Sequence, residues 1–192
     1  EQRVAMLSPS SVLVVRPDEK KRGFVICTTG TARCMQAVRR SAVLAQSVGE
    51  PITLFSVARQ EQDIKAAKDN VKKAKDLLDA IGIKVRKTQT DVGDPVEKIV
   101  EHGSKHKIIV VSDEGRSYIS RLFNPSVAET VSHQTRSHTL MLPKGGRGFV
   151  DPQTGKANLK RVLCALDPHK DPRTALAYLK RWLPTFGGTG ME

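Results

Sequence analysis

Between Lys107 and Val131 the chain places four apolar residues, Ile108-Ile109-Val110-Val111, ahead of a polar loop carrying Ser112, Gly115 and Arg116. It then restarts at Asn124-Pro125-Ser126 with Val127 beside it. A buried strand, a loop and a helix start in that order make a phosphate site. The first backbone N–H groups of the helix point outward with the positive end of its dipole behind them, and a nearby glycine lets the backbone approach a ligand closely. Ser126 adds a hydroxyl donor and Arg116 a cation. Two positions work against a tight site. Pro125 has no N–H to offer, and Ser112 carries a Cβ where the backbone must pass close by. Each retained residue also has an ordinary structural role, Gly115 in a turn and Ser126 in a helix start.

Other reactive side chains do not assemble into chemistry. No nucleophile, base and orienting group share a spacing, and no paired carboxylates fall at strand ends, so a binding module is expected rather than an enzyme. His102 and His106 lie four apart, the spacing of a helical metal pair, but Gly103 and the adjoining helix end predict solvated side chains. His133 and His138 straddle an expected turn and are read the same way. Cys27 on a strand and Cys34 on a helix are expected to be inert core thiols. No catalytic residue and no metal ligand is assigned.

These residues need a scaffold, and the pattern supplies one. From Gly23 to Leu142 short apolar runs alternate with helical stretches, which predicts a parallel sheet covered on both faces. Strands are expected at 24–28, 52–57, 84–90, 107–111 and 139–142, the third near an edge because it alternates polar and apolar residues. Helices are expected at 32–48, 62–81, 95–106 and 126–134. In the second helix Ile64, Ala67, Val71, Ala74, Leu78 and Ile81 form an apolar stripe, with lysines on the solvated face. The third begins with a clear start signal, Asp94 as N-cap, Pro95 in the first turn and Glu97 completing a capping box.

The ends restate the middle. Ser11 to Pro17 reads like the fifth strand and its following proline, and Arg161 to Asp167 followed by a helical run from Thr174 to Leu183 restates the first strand and helix. The organisation read from this is residues 1–22 as an extension with a strand like that closing a preceding repeat, 23–144 as one complete domain, 145–157 as a Gly-rich basic linker, and 158–192 as the opening of another copy. Starting with Glu rather than Met, the chain is expected to be a fragment or a processed product of something longer.

The 192 residues carry a net charge of +12, densest over 144–192, where nine lysines and arginines face four acidic residues. Such a surface attracts anions of several kinds. With aromatics at 4 %, base-stacking platforms are not expected, which makes nucleic acid an unlikely main partner. Three cysteines without paired spacing argue against a disulfide framework and for a reducing cytoplasm. No apolar run reaches bilayer-spanning length.

The sequence resembles the universal stress protein family. Gly93-Asp94-Pro95 with Ile99-Val100, then Ile108 to Val111, Gly115-Arg116-Ser117, Arg121-Leu122 and Ser126-Val127-Ala128-Glu129 are similar to that family's wording in its order. The resemblance implies a Rossmann-like five-stranded parallel sheet of order 3-2-1-4-5, with ligands at the carboxyl ends of strands one and four. It implies a nucleotide or phosphate site at Thr29, Gly30, Thr31, Val57, Ser112, Gly115, Arg116, Ser126 and Val127. Members that bind ATP are similar in a G-x-x-G-x9-G-[ST] loop and an Asp after strand one. Here the loop begins at Ser112, has Pro125 before Ser126, and Thr29 stands at the Asp position, although Asp167 occupies that place in the partial C-terminal copy. The implied cofactor is therefore ATP or AMP held weakly, or none. The implied role is a stress-response module acting through ligand sensing and dimerisation, with a homodimer or pseudo-dimer formed through edge strand 139–142, which Val12 to Arg16 or its symmetry mate is expected to pair with and bury. The alternative is a nucleotide-free scaffold or partner-binding domain, such as the cytosolic regulatory part of a transporter or sensor.

Overall fold

The computed structural model describes residues 10–16, 21–112, 127–142, 163 and 171–182. Its strands are β1 (Val12–Val14), β2 (Phe24–Cys27), β3 (Ile52–Ala58), β4 (Lys87–Val92), β5 (Ile108–Ser112) and β6 (His138–Leu142). Its helices are α1 (Ala32–Ser47), α2 (Ile64–Asp79), α3 (Pro95–Gly103), α4 (Val127–Gln134) and α5 (Arg173–Trp182), with a short 3-10 turn at Glu61–Asp63. The expected 145–157 linker and the strand expected at 161–167, Leu163 aside, lie outside the described residues. The third strand begins later than expected, at Lys87, because the chain leaving α2 makes a turn at Gly82 (φ +74°) and reaches β3 only at Arg86, whose N–H donates to Ile52 O.

One sheet contains all six strands in the order β1-β6-β5-β2-β3-β4. β2 pairs in parallel with β3 and with β5, β4 in parallel with β3, and β6 in parallel with β5. β1 runs antiparallel to β6, with Val12 opposite Met141 and Val14 opposite Thr139. The sheet is therefore six-stranded and mixed, a correction to the five-stranded all-parallel sheet expected, and its order is longer by β1. The edge strand 139–142 is covered on its outer side by Val12–Val14 of the same chain, one of the two pairings expected there. Arg16 just beyond β1 locks that pairing: its N–H donates to His138 Nδ1 at 3.0 Å and its Nη2 to Ser132 O at 2.6 Å.

The two-residue repeat of the strands sorts their side chains into two apolar layers. Phe24, Ile26, Ile52, Leu54, Ile108 and Val110 face α1 and α2, where Val38, Ala42, Val71 and Leu78 meet them. Val25, Phe55, Ile109 and Val111 face the other way, against Ile99 of α3 and Val131 of α4. Both faces are covered, which is why the strands read as unbroken apolar runs rather than alternating ones. Asp94 caps α3 by accepting from the Val96 and Glu97 N–H groups at 2.9 and 3.0 Å, with Pro95 in the first turn as its start signal predicts. At the amino edge of the sheet Glu50 accepts from Gly23 N–H at 2.8 Å and pairs with Lys107 at 3.5 Å, both carboxylate and ammonium being largely enclosed. Among the described residues no helix is long and apolar enough to cross a membrane.

Candidate functional site

Because α1, which follows β2, packs with α2 on one face and α4, which follows β5, packs with α3 on the other, the carboxyl ends of β2 and β5 form the topological switch point, whose crevice is where doubly wound sheets take ligands. The loop after β2 and the end of β5 meet there. Thr28 N–H donates to Phe55 O at 2.9 Å, holding the loop to β3. Thr28 Oγ1 then accepts from Gly30 N–H at 3.2 Å. Gly30 has φ +76°, a conformation strained for any residue with a Cβ, and a Cβ there would also displace the Asn70 side chain of α2, so the turn favours glycine. Thr31 caps α1, its hydroxyl accepting from Cys34 N–H at 3.3 Å.

Across the crevice Ser112 Oγ lies 2.8 Å from Cys34 Sγ, and Thr29 Oγ1 donates to the same sulfur at 3.2 Å. Three of the expected site residues, Thr29, Thr31 and Ser112, are thus gathered around one thiol, with Gly30 shaping the loop. Thr29, Thr31, Cys34 and Ser112 are themselves uncharged side chains. Cys34 was expected to be inert packing; it is buried, but it joins the loop after β2 to the end of β5. The signal for it was available in its position, in the first turn of a helix that follows Thr-Thr-Gly-Thr. Val57 and Val127 pack against the second apolar layer beside Cys27 rather than among the polar groups. Gly115, Arg116 and Ser126 lie outside the described residues.

Cys27 ends β2 close to this cluster: its thiol is enclosed even though the residue is partly exposed, and burial, with the neighbouring Cys34, pushes its pKa up to about 12. It is a structural thiol. Of the four histidines read as solvated, His133 is exposed and the other three are not. His102 stacks on Phe55 with ring centroids 4.4 Å apart, and its Nε2 meets Asp91 Oδ2 at 3.0 Å. Lys98 Nζ meets the same carboxylate oxygen at 3.3 Å. Burial pushes the Asp91 carboxyl up, but the bonds from His102, Val92 N–H and Lys98 together hold it below the usual range. His106 is half-buried, with Nδ1 donating to His102 O at 3.0 Å and Nε2 lying 3.1 Å from Thr53 Oγ1. Burial lowers its pKa and so favours the neutral ring. His138 is buried at the β6 edge. All three turn inward because the apolar layer beneath α3 and the β1 strap cover them, neither of which local sequence reveals. Among the described residues no group of three His, Cys, Asp or Glu side chains is placed to hold a metal ion.

A doubly wound sheet with a polar cluster at its switch point defines a Rossmann-like α/β domain. Residues 22–143 match the universal stress protein family, and the chain belongs to that family. A universal stress protein solved in complex with cAMP is similar in fold, with TM-score 0.57 and 23% identity over 65% of this chain and 98% of that one. A universal stress protein from Archaeoglobus fulgidus DSM 4304 aligns with TM-score 0.59 and 14% identity over 75% of this chain and 53% of that one. A Pseudomonas aeruginosa UCBPP-PA14 protein described as a universal stress protein gives TM-score 0.57 and 13% identity over 73% and 55%. Among curated proteins no sequence match was found.

Proposed function

We propose that the protein is a regulatory module of the stress response that works by binding rather than catalysis, with an adenine-nucleotide site at the β2/β5 crevice reduced to weak affinity for ATP or AMP. The single observation behind this is the uncharged contact of Thr29, Cys34 and Ser112. A threonine stands where a carboxylate would anchor the ligand, and a serine bonded to a thiol stands where a glycine would give way to it. Each lost charge-assisted contact costs on the order of 1.5–3 kcal/mol, so losing two weakens a micromolar site by roughly two to four decades. The direct Cys34–Ser112 bond also favours a second reading, a nucleotide-free scaffold or partner-binding domain such as the regulatory part of a transporter or sensor, because a nucleotide must part those loops to enter. Free cysteines at Cys27 and Cys34 suit a reducing cytoplasm for either. The β1–β6 pairing supports a pseudo-dimeric edge made within one chain, as a tandem protein would form it.

Calorimetry with ATP and AMP tests the reading. Binding by the unmodified protein is expected in the millimolar range, and Thr29→Asp, Ser112→Gly and Pro125→Gly together are expected to tighten it by about two decades or more. Micromolar binding by the unmodified protein would show that the site is not reduced. A folded triple variant that binds nothing would leave the scaffold reading.

A further inference from the structure

The sheet's other edge offers a different surface. β4 pairs with β3 alone among the described residues. Gly93 N–H donates to Ala58 O, so counting back along the pleat the Asp91 and Gln89 backbone groups face β3 while Thr88 and Thr90 present theirs outward. The next outward N–H, at Val92, is already taken by the Asp91 carboxylate at 2.8 Å, which marks where the open stretch ends. Beside this edge runs an open groove of about 280 Å³, floored by Val71 and walled by Lys68, Lys72 and Lys75 of α2 with Thr88 and Thr90 of β4. Lys75 pairs with Asp79, whereas none of the described ion pairs involves Lys68 or Lys72, and both are exposed.

We propose that this groove docks an extended acidic segment of a partner protein, which adds to the sheet beside β4 while its carboxylates pair with Lys68 and Lys72. The spacing fits. Four helical residues rise about 6 Å, close to the roughly 6.7 Å between side chains on one face of a strand, so acidic residues at alternate positions meet the two lysines in turn. Outward backbone groups at Thr88 and Thr90 supply the ladder bonds that give such strand addition its affinity. A second copy of this chain does not suit the edge, because pairing β4 with β4 would bring two rows of lysines together. Nucleic acid would use the charge but not the backbone groups.

Fluorescence anisotropy with the full chain tests this, using a labelled peptide of about six residues that alternates Glu with Val. The peptide is expected to bind, and the pair Lys68→Glu with Lys72→Glu to weaken it by about tenfold or more. Thr90→Pro removes one outward donor and is expected to weaken binding similarly at unchanged charge. The same peptide with proline at alternate positions, which cannot pair with a strand edge, should not bind. Failure of the Glu-Val peptide to bind overturns the proposal. So does a proline peptide or a random single-stranded oligonucleotide that binds as tightly and competes for the same lysines, since the groove would then be a general anion surface. Should Thr90→Pro unfold, the lysine pair and the proline peptide decide the matter.

Discussion

Cys34 touches both halves of the site, donating or accepting at Ser112 Oγ and accepting from Thr29 Oγ1. Cys27 behind it has a thiol pushed up to about 12 by burial and by Cys34, so almost none of it is thiolate near neutrality. In the native protein at pH 8, Cys27 should resist iodoacetamide until denaturant is added, read as peptide masses after digestion; rapid native labelling would contradict the enclosed thiol. His106 makes a second residue-level prediction. Its pKa is lowered in the folded state by burial, so above the ordinary value of 6.5 the ring is neutral in folded and unfolded chains alike. As pH falls below 6.5 the unfolded chain takes up a proton that the folded one resists, and stability is lost down to the folded pKa. Urea midpoints measured from pH 7.5 to 5 should fall, and His106→Gln should flatten that part of the profile.

At the level of elements, two close contacts set how the helices and strands seat. Gly103 ends α3 against β5, where a Cβ would lie 2.2 Å from Ile109 Cδ1. Gly103→Ala is expected to cost about 1–3 kcal/mol by overpacking, seen as a lower urea midpoint at unchanged m-value. Glu50 joins the loop before β3 to Gly23 and to Lys107 at the start of β5. Lys107 is 7% exposed, so Glu50→Ala leaves an enclosed ammonium and an unpaired Gly23 N–H and should destabilise by about 3 kcal/mol. A loss under 0.5 kcal/mol, the size of an ordinary surface pair, would mean the ammonium escapes to water.

For the whole molecule, the decisive feature is how the sheet is closed off. β1 covers β6 and carries Val12 and Val14 onto the second apolar layer. Deleting residues 1–17 uncovers the β6 edge and removes the Arg16 bonds to His138 and Ser132. The truncated chain is expected to associate, with light scattering showing a dimer or larger species where the full chain shows none. An unchanged monomer after truncation would mean that β1 does not protect that edge.

What was legible in the amino-acid sequence was what depends on local pattern. The apolar runs at 24–27, 52–57 and 108–111 announced buried parallel strands, Asp94-Pro95 announced the start of α3, and Thr28 to Thr31 announced a loop at a strand end. These signals need only a residue and its neighbours within a turn or a pleat. Tertiary structure alone decided the rest. That the apolar stretch expected to cover strand 139–142 would be Val12–Val14 of the same chain rather than of a second copy, that Cys34 would bridge Thr29 and Ser112, and that His102, His106 and His138 would turn inward all depend on residues 78 or more positions apart or on which face a helix covers. A cysteine on a helix reads as core whether it packs against leucine or against a serine hydroxyl. Only the folded chain, by bringing the ends of β2 and β5 to one crevice, distinguishes the two.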